Sequence, residues 1–536
     1  MKQALRSPLA QRSLATLCAC AALTLAAGCS RPDASKATSG ASAAAAQTAN
    51  SDIQTLVVGG PADFNSRSEM KRNVFDTFLQ MDDQGSAHPG RLVSKVDVSA
   101  DKTTYTFTLA DGIEFHDGVK WDAKTAAWFF NWLQKGPQKS SFQAIASVKE
   151  IDGKTIEVKL NAADALFTKT LASDSKAIVP SPQSLETAWS ETDKIKPQTW
   201  IGTGKFKVTA YAKALSAELE RVNAQEGQGP LIDRIVYKVI PDDQASVAAL
   251  RAGDVDIIGA ADHHSTIPFE AVPTMQNDPK LTVEKRSYGR YQVVEMNTKQ
   301  GPTADIRVRQ ALNAALDRTA MVKGLLANAA APAWAIIPPH YPFAKGLAGM
   351  EYKYDPELAK KLLDEAGWKM GADGIREKDG KKLSLKYLVP RFEANSEPIA
   401  VYLQNAYKQI GVDVNILTME SGAAWEEGKK GNYDIYLHHS YGVPGLPEWL
   451  LTGKYHSKSS WVASLHSAEL DRLIDAALKT HADEDYAKVY ALLQSEHAMI
   501  PLYDIEKIVA YNKKVKNFTF PASVYAIDMS MIAIEP

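Results

Sequence analysis

The chain has 536 residues, 61 Lys and Arg against 63 Asp and Glu, and a formal net charge of −2. Charge this close to balance argues against a nucleic-acid partner. All 3 cysteines, Cys18, Cys20 and Cys29, fall before residue 30, which excludes thiol chemistry from everything that follows. The N-terminus opens on the basic residues Lys2, Arg6 and Arg12, runs through an apolar stretch from Ser13 to Leu25, and closes on Ala26, Ala27 and Gly28. That stretch is shorter than the ~20 residues a bilayer requires, so residues 1–28 read as a secretory signal and not as a spanning helix. Its removal takes three positive and no negative charges and moves the net charge from −2 to about −5. Residues 29–52 hold almost no large apolar side chains and read as a flexible tether. Folding is expected from Ile53, and the remaining ~480 residues exceed what one core supports, implying two or three domains.

Thr103 to Leu109 (TTYTFTL) alternates polar and apolar residues and predicts a strand, as does Lys154 to Leu160 (KTIEVKL) after an Asp152-Gly153 turn. In Thr303 to Ala327, residues Ile306, Ala311, Leu312, Ala315, Leu316 and Met321 recur at helical spacing, predicting one or two amphipathic helices. Asp355 to Ala366 starts on an Asp cap with Pro356 at the first helical position and stops at Gly367. Gly374 to Lys382 (GIREKDGKK) predicts a charged hairpin around Asp379-Gly380. It is no phosphate loop, since five residues separate its glycines and Lys382 stands where a magnesium-binding hydroxyl belongs. Ser396 to Ile410 and Ser467 to Leu478 predict further helices. The class is α/β with several mixed sheets. No Gly-x-Ser-x-Gly elbow, His-Glu-x-x-His helix or cysteine nucleophile occurs, so an enzyme finds no support.

An ordered set of local patterns is more telling. Phe115-His116-Asp117-Gly118 resembles the "FHDG" signature of bacterial family 5 extracytoplasmic solute-binding proteins. Ile201 to Phe206 (IGTGKF) resembles that family's "GTGPY" turn, with Lys205 replacing the usual Pro. Ile232 to Asp256 resembles its strand-turn-helix block, Asn297-Thr298 with Asp305 to Leu312 its "NT…D-x-R-V-R-x-AL" block, and Ala366-Gly367-Trp368 its "AGW". Leu25 to Cys29 resembles the lipobox of bacterial lipoproteins, with Ala26 where Leu is preferred. Within these blocks Gly202 and Gly204 read as turn positions whose backbone angles a β-carbon would forbid, and Gly118 as a sharp exit from a strand. His116 reads as a hydrogen-bonded structural histidine, Asp305 as the cap of a helix, and Arg307 and Arg309 as partners of carboxylates.

The resemblance implies a two-lobed periplasmic-binding-protein fold with an extra inserted domain and a hinge between lobes that closes on ligand. Lobe one is expected from 53–74, 201–257 and 490–536, the inserted domain from 75–200, and lobe two from 258–489. The implied function is the substrate-binding component of an ABC importer outside the cytoplasmic membrane. Its partners are permease subunits, and it is expected to be a monomer with no reaction and no cofactor of its own. Cys29 would be lipidated and would hold the protein to a membrane in the periplasm or cell envelope.

For the ligand, the segment after Asp434 to Leu437 is decisive. Peptide-binding members carry there an Asp that pairs with the peptide's α-ammonium; His438 to Glu448 (HHSYGVPGLPE) has none. The stretch is closer to the nickel-binding branch, "FHRTWG-x-PYDPH", and Ile375 to Gly380 matches that branch's "IREKNG". By position, Tyr441 and Phe142 fall on aromatic walls, Lys139 and Lys176 on cations for ligand carboxylates, and Met70 on an apolar contact. His456 falls near the histidine that ligates the metal. His438 and His439 are additional imidazole candidates, of which at most one can enter the cleft from an extended strand, and the same holds for His263-His264. Trp425, Trp449 and Trp461 are expected in cores. A nickel or related metal chelate is thus the first expectation and a short peptide or opine-like amino-acid derivative the second. An envelope chaperone or hydrolase on the same scaffold is the third.

Overall fold

The strand Thr55–Gly60 buries alternate residues and lies parallel to Arg234–Val239 on one side and Ile257–Ile258 on the other. It centres a seven-stranded sheet completed by Ser216–Arg221 and Phe206–Ala212 at one edge and by Lys507–Asn512 and Leu281–Arg286 at the other. These belong to a computed structural model that describes residues 53–61, 71–82, 85–136, 139–164, 166–173, 176–184, 199–222, 231–260, 267–339, 341–391, 395–439, 447–458, 465–521 and 527–535. Asp52–Pro536 forms one compact unit. Among the described residues no helix is long and apolar enough to cross a membrane.

Between Gly60 and Phe206 the chain leaves this sheet and builds a four-stranded antiparallel one, ordered Val93–Val98, Thr104–Leu109, Thr155–Leu160, Ile145–Asp152. The helix Ala123–Leu133 covers it, started by Asp122, whose carboxylate accepts from Thr125 N. Phe78, Phe107 and Phe130 meet edge to face at centroid distances of 5.0 and 4.8 Å in its core.

A five-stranded sheet, ordered Asp413–Glu420, Ser384–Arg391, Ile435–His439, Tyr291–Met296, Met499–Asp504, carries the other half of the molecule. Two crossings join it to the seven-stranded sheet: Ser287 to Arg290, between Leu281–Arg286 and Tyr291–Met296, and Ile505 to Glu506, between Met499–Asp504 and Lys507–Asn512. They are tied to each other, Ile505 N donating to Arg290 O at 2.7 Å. Sheet membership thus runs past the expected boundaries at 257/258 and 489/490: Leu281–Arg286 pairs in the seven-stranded sheet and Met499–Asp504 in the five-stranded one. The reason is that each crossing chain is continuous strand on both sides of the crossing, and hydrogen bonding across chains carries no local signal.

Local signals hold elsewhere. Thr303 to Ala327 makes two helices, Ile306–Ala314 and Arg318–Leu325, capped by Asp305 and Asp317. Pro356–Glu365 is capped by Asp355, and Gly367 has φ +90. Asp379 and Gly380 both adopt positive φ (50 and 70) between the strands Arg376–Lys378 and Lys381–Lys382, as a two-residue hairpin requires. Gly118 has φ +81. Gly202 and Gly204 are needed for a different reason from the one expected: their φ values are not positive, but a β-carbon on either would collide with the backbone of Val74. His116 is structural, one ring nitrogen 2.9 Å from Gly204 O and the other accepting from Gly202 N at 3.4 Å. Burial pushes its pKa down. Arg307 pairs with Asp305 at 2.6 Å and Arg309 with Glu496 at 3.1 Å.

Candidate functional site

A cavity of about 1050 Å³ lies between the four-stranded-sheet region and the half built on the five-stranded sheet. Tyr105 reaches it from the strand Thr104–Leu109, and Thr168 and Lys169 from the short helix Phe167–Leu171. The facing wall holds Tyr341, Phe343, Glu448, His481 and Tyr486, while Arg286 and Ser287 border it at the first crossing. The facing wall is rigid by stacking: Phe343 lies 5.1 Å from Tyr341 and 5.2 Å from Tyr490, ring centre to ring centre. Lys102 and Lys169 bring cations to one wall, Lys479 to the other, and Arg286 to the crossing.

Asp164, Glu448 and Asp483 are its anionic groups, and Glu448 is the most enclosed in contacts. Glu448 sits on the single turn Pro447–Leu450, with only 4% of its side chain exposed. Oε1 accepts from Tyr486 OH at 2.9 Å and from Lys169 Nζ at 3.4 Å, and His481 Nδ1 stands 3.6 Å away. Oε2 is buried and has no hydrogen-bond partner among the described residues. His481 is brought here by its own backbone: it caps the helix Ala468–Thr480 in the left-handed region with φ 55, where histidine is tolerated better than bulkier residues. Its Nδ1 also lies 3.1 Å from Tyr486 OH. Burial first, then the Glu448 carboxylate, push the Tyr486 phenol far above its ordinary range, so it stays a donor.

A second charged cluster is sealed inside the five-stranded sheet. Lys454, on the π-helical turn Leu451–Tyr455, contacts the carboxylate of Glu295 on Tyr291–Met296, and both side chains are 1% exposed. His438 Nδ1 lies 3.4 Å from Lys454 Nζ. Burial, then the Lys454 charge, hold His438 well below its ordinary pKa, so it is a neutral ring that can accept from the ammonium. Trp425 stacks on it at 6.3 Å. The His438 and His439 rings stack on each other at 5.1 Å and 6° at the end of the strand, where His439 pairs opposite Gln292.

The remaining sequence candidates are scattered. His456 accepts from Lys458 N at 3.1 Å, faces Asp475 (3.4 Å) and Asp471 (3.9 Å), and does not line the cavity. Phe142 is fully buried in the aromatic core of the four-stranded sheet, packed by the same rings that hold that domain together. Lys139 is exposed on the turn Lys139–Ser141, and Lys176 is half-buried with its N–H bonded to Ser173 O at 3.0 Å. Met70, Tyr441, Cys29, His263, His264 and Trp461 lie outside the described residues, as does the side chain of Trp449. Among the described residues no three His, Cys, Asp or Glu side chains come together to hold a metal. Glu448, Lys169, His481 and Tyr486 escaped the sequence reading: a single Glu after a Pro carries no periodic or motif signal.

A third carboxylate, half-buried, lies at the crossings. Ser287 Oγ donates to Asp504 Oδ2, while Oδ1 has no partner among the described residues. Burial pushes Asp504 up to about 7; nearby Glu506 adds to this, and Ser287 and Arg290 work against it.

Comparison with known proteins gives this arrangement a context. Residues 88–461 match the family "Bacterial extracellular solute-binding proteins, family 5 Middle". The chain is 25% identical over 476 residues to the nickel-binding periplasmic protein of Escherichia coli (strain K12), covering 86% of this chain and 89% of that one. It is 28% identical over 456 residues to the oligopeptide-binding protein AppA of Bacillus subtilis (strain 168), covering 82% of each. Its fold superposes on NikA from Brucella suis in complex with Fe(III)-EDTA with a TM-score of 0.82 at 22% identity, covering 90% of this chain and 100% of that one. A two-lobed α/β fold with mixed sheets, a cavity between its halves, and a match over more than half its length identify the chain as a member of the bacterial extracellular solute-binding proteins, family 5.

Proposed function

We propose that the protein captures a nickel or related metal chelate in the cavity between its halves and delivers it to the permease subunits of an ABC importer. The observation that carries this reading is a cavity of about 1050 Å³ lined by the cations Lys102, Lys169, Arg286 and Lys479 and by the rings of Tyr105, Tyr341, Phe343 and Tyr486, a lining suited to the carboxylates and carbon skeleton of a chelator. The protein then runs no reaction and needs no resident cofactor; the metal is cargo. Titration calorimetry with nickel plus citrate or L-histidine tests it, and saturable binding of neither would overturn it. Glu448 specifically favours a second reading, a short peptide or amino-acid derivative whose ammonium it would meet.

Met70, Lys139, Lys176, Tyr441 and His456 are proposed as further contacts, reached on lobe closure, each to be tested by alanine substitution in the same titration. Lobe one is proposed to hold the seven-stranded sheet and lobe two the five-stranded sheet, hinged at Ser287 to Arg290 and Ile505 to Glu506, with 75–200 inserted. Ligand at a hundredfold excess over Kd should add roughly 2.7 kcal/mol of stability and shrink the radius of gyration. Residues 1–28 are proposed as a cleaved signal and Cys29 as the lipid-bearing residue that anchors a monomer in the cell envelope. Cys29→Ser should release the protein from the membrane fraction, and unchanged fractionation would sink that assignment.

A further inference from the structure

We propose that Asp504 is a proton-operated lock on the two crossings. Its neutral form, tied to Ser287, favours the arrangement of the halves seen here, and its anionic form favours one that brings the carboxylate to water. This rests on the crossings acting as the hinge, and not on the identity of the solute.

Ser287 belongs to one crossing, and Asp504 ends the strand Met499–Asp504 that leads into the other, so the bond from Ser287 Oγ to Asp504 Oδ2 ties the two together through side chains. Ser287 also borders the cavity and accepts from Gly289 N at 3.2 Å. Gly289, at φ +71, lies so close to Tyr341 of the cavity wall that a β-carbon on it would stand 2.6 Å from the hydroxyl. Rotation of the first crossing therefore displaces Ser287 relative to Asp504 and loosens the bond between them.

The neutral acid suits this place better than the anion. Oδ1 is sealed from solvent and has no partner among the described residues, so an anion would keep one side-chain hydrogen bond where a carboxylate offers about four acceptor positions. Two charged groups face it: Glu506 from the second crossing opposes the anion, and Arg290 from the first favours it. Glu506 in turn pairs with Lys285 at 3.3 Å. Tyr291, opposite Asp504 in the ladder, and Tyr341 keep their protons, since burial first and then Asp504 push both phenols up. Burial dominates the balance and sets Asp504 at about 7. Hydrated in the other arrangement, the same carboxylate would titrate near about 3.9. The ratio of the two arrangements should then change by up to about tenfold per pH unit between about pH 4 and about pH 7, and level off above.

Because every cysteine precedes residue 30, two spin labels can be placed freely on the mature chain carrying Cys29→Ser. Leu215→Cys in the seven-stranded half and Val401→Cys on the helix Ser396–Lys408 of the other half use exposed positions, and double electron–electron resonance reads the distance between them. Without solute, the ratio of the two distance populations is expected to change at least about tenfold between about pH 5 and about pH 8 when Asp504 is present, and less than about twofold in Asp504→Asn. Ser287→Ala removes the donor that stabilises the anion, so its ratio should go on changing above about pH 7, where the parent has levelled off. If Asp504→Asn does not fold, that extension decides. A single population at every pH, an Asp504→Asn variant that follows its parent, or Ser287→Ala levelling off where the parent does overturns the lock. The hinge is judged separately: a distance that shortens with saturating nickel and L-histidine, or with alanyl-alanine, but ignores pH overturns the lock and leaves the hinge standing.

Discussion

Two lysine–glutamate pairs, Lys454–Glu295 and Lys169–Glu448, use the same chemistry in different surroundings. The first joins a strand and a turn within one half of the protein, in close contact, with both side chains 1% exposed. The second spans the cavity, reaching from the helix Phe167–Leu171 to the turn Pro447–Leu450 at 3.4 Å, with Lys169 24% exposed. A sealed pair cannot exchange its partner without stranding a charge in a low-dielectric interior, so it serves the scaffold. A pair that borders a cavity, with its lysine partly exposed, can exchange its partner. The difference lies in what surrounds each pair, since the residue types are identical.

The sharpest way to break this contrast is Lys454→Met. It strands Glu295 and should cost about 3–5 kcal/mol in urea unfolding, while the double variant with Glu295→Leu should recover most of the loss. A mild single variant would mean that the sealed pair is no more structural than the open one.

Asp504 extends the comparison to a half-buried carboxylate that pairs with a hydroxyl and not with a lysine. Its pKa is raised to about 7 in the folded protein, against about 3.9 unfolded. Its protonated form therefore contributes stability fully below about pH 4, and that contribution is lost as pH rises through about 7. Thermal unfolding across this range should show wild type falling behind Asp504→Asn by roughly 2–4 kcal/mol, with most of the gap open by pH 8. Parallel pH profiles of the two proteins would remove Asp504 as a titrating group of the crossings.

Lys169→Met is the mildest of the three. Lys169 is partly exposed and its contact long, so unfolding should change by about 1 kcal/mol or less. A loss of several kcal/mol would place this pair with Lys454–Glu295 and make Glu448 a scaffold residue.

Sequence alone determined what depends on neighbours along the chain. The Asp305, Asp317 and Asp355 caps, the Asp379-Gly380 hairpin, the alternating strand Thr104–Leu109 and the structural role of His116 were all legible, because a few consecutive residues decide the backbone there. The ordered motifs also made the family legible. Tertiary structure alone decided what depends on residues distant in sequence. Glycines 202 and 204 answer to Val74, the His438 and His439 rings stack at a strand end, and Phe142 is taken into an aromatic core. Glu448 meets Lys169 across 279 positions and Tyr486 across 38. Burial and partner supply set whether a carboxylate is sealed, raised in pKa or left open to a solute, and both are sums over contacts that no local pattern encodes.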